Sequence, residues 1–172
     1  MKLKHLESRI QSCCTVTDFN RKPLIQLEQY STPPRLAAEL ALIMDGEDEI
    51  EGKNLADFGC GCGVLSAAVL QFEPGTLLAI DIDTKCLQIT SDNLSDFSVD
   101  FLQCDIVNGV PLQRDSFDAV ITNPPFGTRK QGADISFVNE ALKVAPIVYS
   151  FHKESTRQFV QKTADELSLI HI

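Results

Sequence analysis

From Lys53 onward, short apolar runs alternate with stretches whose apolar residues recur at helical pitch, and no other feature confines the chain so tightly. The runs are residues 54–58, 76–80, 99–104, 117–122 and 147–151, each of strand length. Between them, residues 64–72 are almost wholly apolar, and Leu87, Thr90 and Leu94 share a helical face behind Asp83, a capping residue. Ile135, Val138, Ala141 or Leu142, and Ala145 mark another helix, Val160, Ala164 and Leu167 one more, and 168–172 starts a further apolar run. Strands alternating with helices form a parallel sheet covered on both faces, with right-handed crossovers. The expected fold is therefore a doubly wound, Rossmann-like α/β sheet of order 3-2-1-4-5, which takes ligands at the carboxyl ends of its strands. Upstream, Leu3, Leu6 and Ile10 mark a short amphipathic helix and 13–21 a connection. Pro33 or Pro34 opens a second helix with Leu36, Leu40, Ile43 and Met44 on one face, and 45–52 is an acidic, solvated connector.

Those carboxyl ends carry the polar residues. Asp57-Phe58-Gly59-Cys60-Gly61-Cys62-Gly63 closes the first run and opens a helix; alternate glycines let the backbone pass against a ligand that a Cβ would exclude. A dinucleotide fingerprint needs glycine three positions after the second one, and Val64 stands there, so pyrophosphate binding is disfavoured. Asp81 ends the second run, placed to accept hydrogen bonds from both hydroxyls of a ribose. After the fourth run the apolar pattern stops on Asn123-Pro124-Pro125-Phe126-Gly127. Neither proline donates a ladder hydrogen bond, and each holds the residue before it extended. A carboxamide, bare carbonyls and an aromatic ring are thus presented together. They suit a planar group with an exocyclic amine: the ring stacks on Phe126, and the amine donates to Asn123 and the Pro124 carbonyl. The same residues also fit a strand closing on a polyproline turn. Asp105, after the third run, is either a site residue or a turn cap, and Gln29, Tyr30 and Thr32 are either a connector or a cover for a ligand.

At 172 residues the chain is long enough for one domain with a core. Residues 1–52 read as a helical segment and lid of that same domain and 53–172 as its main body. No apolar run approaches the roughly 20 residues of a membrane span, and the basic N-terminus lacks the apolar stretch of a secretory signal. The cytosol or nucleus is the expected compartment. None of the six cysteines shows a zinc-type CxxC pair, so no metal site is expected, and most read as small buried hydrophobes. A net charge of −9 argues against a broad basic surface. Nucleic-acid contact would fall to local cations such as Arg129 and Lys130, or Lys153 and Arg157, or to a partner.

The glycine loop, Asp57 and the proline motif in register resemble the S-adenosylmethionine-dependent methyltransferases that modify amino nitrogens. Glu28-Gln29-Tyr30-Ser31-Thr32-Pro33, Asp81-Ile82-Asp83, the Asn-Pro-Pro-Phe-Gly-Thr stretch and Tyr149-Ser150-Phe151-His152-Lys153 narrow the resemblance to the methyltransferase-like protein 5 family. That resemblance implies a class I methyltransferase fold and methylation of N6 of an adenosine in small-subunit (18S) ribosomal RNA. It implies S-adenosylmethionine as cofactor, with Asp57 near the methionine amine, Gly59, Gly61, Cys62 and Gly63 along the methionyl and sugar region, and Asp81 on the ribose. Asp105 would meet the adenine amine, Gln29 and Thr32 would close over the cofactor, and Asn123, Pro124, Pro125 and Phe126 would form the catalytic motif. It further implies a heterodimer with the small zinc-binding multifunctional methyltransferase activator subunit, with the nucleus and cytoplasm as location; strand 99–104, an edge with one acidic residue and no proline, is either where that partner adds a strand or an edge tolerated because it is short. Family members run some tens of residues longer, so the last strands of the sheet are expected to be cut short here. A protein glutamine N-methyltransferase shares the Asn-Pro-Pro logic, but typically has tyrosine where Phe126 stands and a larger N-terminal domain. A scaffold subunit without activity is disfavoured by intact Asp57, Asp81 and Asn123.

Overall fold

The computed structural model describes residues 1–15, 31–125 and 132–152. Within them, β1 (Asn54–Phe58), β2 (Thr76–Asp81), β3 (Asp100–Gln103), β4 (Ala119–Thr122) and β5 (Ile147–Ser150) form one parallel sheet in the expected order, β3-β2-β1-β4-β5. Period-two alternation divides the central strands between two cores. Leu55, Ala119 and Ile121 point to one face, where they meet α1 (Leu3–Cys13), α2 (Pro34–Gly46) and α3 (Val64–Leu70). Ala56, Phe58 and Val120 point to the other, against Phe137, Ala141 and Val144 of α5 (Ala133–Val144). α4 (Thr84–Asn93) follows β2 and begins on Asp83, whose carboxylate accepts from Lys85 N at 2.9 Å, as its capping role requires.

Several expectations are corrected. On α2 the buried residues are Ala37, Ala38, Ala41 and Met44, whereas Leu36 and Ile43 are exposed. The helix lies against both α1 and α3, and small side chains permit that approach where leucine would hold the axes apart. The acidic stretch is not merely solvated: Asp45 and Gly46 finish α2, Ile50 is fully buried, and Glu51 bridges to Pro74. On α4, Cys86 and Asn93 join Thr90 on the buried face, while Leu87 is only half-buried. Asp100 and Ala119, not residues 99 and 117, begin β3 and β4. The helix expected around Val160 and the run 168–172 lie outside the described residues, as does most of the connection 13–21. No helix among the described residues is long and apolar enough to cross a membrane.

Candidate active site

The glycine loop leaves β1 and is fixed from both sides. Gly59 N and Cys60 N both donate to the Ile80 carbonyl, at 2.8 and 2.9 Å. From α4, Thr90 Oγ1 donates to the Gly61 carbonyl and Asn93 Nδ2 to that of Cys62, each at 2.9 Å. Gly63, the N-cap of α3, has φ of +80°, and a Cβ there would lie 2.8 Å from Thr90 Cγ2, so only glycine fits. Sequence reading placed Thr90 on the packed face of α4 without a bond and missed Asn93. Two polar residues three apart on a buried face were the signal, since buried polar groups find partners.

The carboxylates at the strand ends are built into the same loop. Asp57 is fully buried; its Oδ2 accepts from Ser66 N at 3.2 Å and Ser66 Oγ at 2.6 Å, tying β1 to the first turn of α3. Its Oδ1 is buried with no hydrogen-bond partner among the described residues. Burial pushes its carboxyl up to about 7, opposed by the Ser66 bonds and reinforced by Asp81. Asp81 is nearly buried, accepts from Gly61 N at 3.0 Å through Oδ2 and from Asp83 N at 2.9 Å through Oδ1, and is also raised by burial. It therefore holds the glycine loop. Asp105 caps the short 3-10 turn Ile106–Asn108, accepting from Val107 N and Asn108 Nδ2 at 3.1 and 2.6 Å. That is the capping alternative; a ligand would have to use its remaining lone pairs.

At the end of β4, Thr122 is buried and donates to the Phe58 carbonyl at 2.7 Å, while its own carbonyl accepts from Phe151 N at 3.1 Å. The strand end is thereby pinned between β1 and β5, and Asn123 leaves it at the point where the strand order reverses. Asn123 is half-buried, and its Nδ2 donates to Thr32 Oγ1 at 2.9 Å. Pro124 is buried and Pro125 half-buried. Next to Thr32, Ser31 Oγ lies 3.4 Å from Cys62 Sγ, so one short segment touches both the glycine loop and the proline motif. After β5, His152 Nδ1 stands 3.6 Å from Asp134 Oδ2, with its Nε2 2.9 Å from Ser150 Oγ. Gln29, Tyr30, Phe126, Arg129, Lys130, Lys153 and Arg157 lie outside the described residues.

Two other features are chemically quiet. Burial raises the thiols of Cys13, Cys14, Cys60, Cys62, Cys86 and Cys104, which disfavours the thiolate. A cleft of about 410 Å³ opens where β2 begins, lined by Arg9, Glu73, Thr76 and Phe97, at the opposite end of the sheet from the described candidate residues at the strand ends.

Residues 38–148 match the family model of the methyltransferase small domain. The zebrafish (Danio rerio) rRNA N(6)-adenosine-methyltransferase METTL5 is 42% identical, over 96% of this chain and 81% of its own. The chain belongs to this METTL5 family. The Drosophila melanogaster rRNA N(6)-adenosine-methyltransferase Mettl5 is 38% identical, over 96% of this chain and 79% of its own. Among solved structures, a candidate RNA methyltransferase from Pyrococcus horikoshii superposes with a TM-score of 0.84 at 30% identity, covering 95% of this chain and 82% of the other. Membership makes the chain an S-adenosylmethionine-dependent methyltransferase, and the site fits that cofactor: a glycine cradle at a strand end beside a buried carboxylate oxygen, Asp57 Oδ1, that has no hydrogen-bond partner among the described residues.

Proposed function

We propose that the chain methylates N6 of an adenosine in small-subunit ribosomal RNA. The observation that carries this reading is the junction at the sheet's switch point, where Asn123 and Pro124 leave β4 beside the glycine loop leaving β1. S-adenosylmethionine, when bound, supplies an electrophilic methyl on a sulfonium. Gly59, Gly61, Cys62 and Gly63 would cradle it, with Asp57 toward its amine, Asp81 toward its ribose and Asp105 toward its adenine, under Gln29 and Thr32. Against it, Asn123 Oδ1 and the Pro124 carbonyl accept the two hydrogens of the target amine, leaving the nitrogen lone pair free of the ring. The same acceptors stabilise positive charge as it develops on that nitrogen, and the base would stack on the Phe126 ring. No side chain need remove a proton first, because the methylated ammonium is itself acidic. The base must be unstacked or already in a single-stranded loop to arrive there.

The reading includes a partner, the zinc-binding activator subunit, on β3. That strand is an edge among the described residues, and Phe101 on it is 38% exposed. Cys104 N donates to the Asp81 carbonyl, so by alternation along the ladder the Phe101 and Gln103 amides face away from β2. A strand can add there, and a partner would enlarge the RNA surface of a chain with net charge −9 in the nucleus or cytoplasm. The test is tritiated-methyl transfer to total RNA and to total protein by the complex, with Asn123→Ala alongside. Label in RNA, a rate lower by about 100-fold in the variant, and cofactor affinity within several-fold are expected. Label in protein, or an unimpaired variant, would refute the reading.

A further inference from the structure

The carboxamide of Asn123 has two ends of opposite sense. Its oxygen accepts, as the proposed chemistry needs, while its nitrogen carries two donors that would oppose an incoming amine. Rotation by half a turn exchanges them with little change in shape, so something must fix the flip. The hydrogen bond that the structure gives this side chain runs from Nδ2 to Thr32 Oγ1, 2.9 Å away and 91 residues distant in sequence. With Nδ2 so engaged, Oδ1 is turned to the other side.

We propose that Thr32 is the positioning residue for this reaction, holding the Asn123 carboxamide through its Nδ2 so that its oxygen meets the acceptor amine. The inference rests on the proposed function and goes beyond a role of Thr32 in covering the cofactor. Thr32 is suited to it. It is 7% exposed, and Pro33 restricts its backbone to the extended region. It enters α2, whose alanines lock that helix against the core. A hydroxyl donates as well as accepts, so Thr32 supports this flip without forbidding the other: the incoming amine, a donor, selects Oδ1, and the Thr32 oxygen then keeps Nδ2 paired. Ser31, its neighbour, contacts Cys62 of the glycine loop. The segment 31–32 therefore registers the acceptor carboxamide against the cofactor loop, so that the two halves of the site are assembled by one stretch of chain.

The experiment is a double-mutant cycle on the complex. Thr32→Val keeps the shape and removes the acceptor; it should lower kcat by about 10-fold or more while KM for RNA and cofactor affinity change less than about threefold, and Thr32→Ser should restore most of the loss. Asn123→Asp places two equivalent oxygens where orientation no longer matters, so Thr32→Val in that background should cost less than about threefold. An equal loss in both backgrounds would assign Thr32 a general structural role and overturn the proposal. Nuclear magnetic resonance of the Asn123 side-chain amide decides without any turnover: its hydrogens should exchange slowly in the wild type and fast in Thr32→Val. Unchanged exchange overturns the positioning role. Label appearing in protein instead of RNA would defeat the substrate assignment while leaving this amide measurement to stand or fall separately.

Discussion

If the buried Asp57 receives the cofactor's amine as proposed, cofactor binding should depend on pH, and the size of the effect follows from its surroundings. Burial holds its carboxyl at about 7, and only Oδ2 has partners among the described residues. If Oδ1 receives the cationic methionine amine, only the ionised form of the chain is competent. Apparent affinity then falls by the fraction ionised, about one tenth at pH 6, so each pH unit below 7 weakens binding about tenfold, or ~1.4 kcal/mol. Isothermal titration in buffers of different ionisation enthalpy should show about one proton released at pH 6 and progressively fewer toward pH 7.5. Asp57→Asn should flatten the profile and bind about 1.5–3 kcal/mol more weakly at pH 7.5. For stability the pH dependence is reversed. The folded pKa lies above the unfolded value, so Asp57 favours the unliganded fold fully only below that unfolded value, and this contribution is lost as pH rises through 7. The rise from an ordinary aspartate value of 3.8 to about 7 corresponds to ~4 kcal/mol, so Asp57→Asn should stabilise the unliganded chain at pH 8 far more than at pH 5. Affinity that is flat between pH 5.5 and 7.5, with no buffer dependence, would refute the reasoning.

Asp81→Ala should weaken cofactor binding by roughly 1.5–3 kcal/mol in calorimetry and also lower the melting temperature, because Gly61 N loses its acceptor; wild-type affinity would remove Asp81 from the site. Burial depresses the His152 pKa despite Asp134 beside it, so folding favours the neutral ring and stability is lost as pH falls below the ordinary histidine value near 6.5. Urea midpoints of His152→Gln should therefore drop less than wild type between pH 7.5 and 5.5, and parallel drops would contradict the assignment. Phe101→Pro removes an outward amide of β3, a change an edge strand tolerates, and should abolish co-purification with the activator; an intact complex would exclude docking on this edge.

The sheet was readable because its information is local. Each strand is a run of apolar residues with a polar residue where it stops, and a doubly wound sheet gathers those stops on one side. Asp57, Asp81, Asp105 and Asn123 thus announce a site before any packing is known. The face of α2 was misread for the converse reason. Large apolar residues such as Leu36 and Ile43 dominate any hydrophobicity pattern, yet what decides which side turns inward is how near α1 and α3 must come, a property of three helices together.

The contacts that sharpen the site were illegible for the same reason, carried further. Thr90 and Asn93 read as helix residues until the glycine carbonyls above them are located. Thr32 reads as a lid residue until Asn123 is found beside it. Asp81 reads as a ribose ligand, and the structure adds that it anchors Gly61, so the residue expected to hold the ligand also shapes its cradle. Strand ends determine which groups reach the switch point, whereas helices and the N-terminal segment determine which way those groups face. The proposed chemistry, which depends on how one carboxamide is held, would therefore draw its motif from five consecutive residues and its geometry from a hydroxyl 91 residues away in sequence.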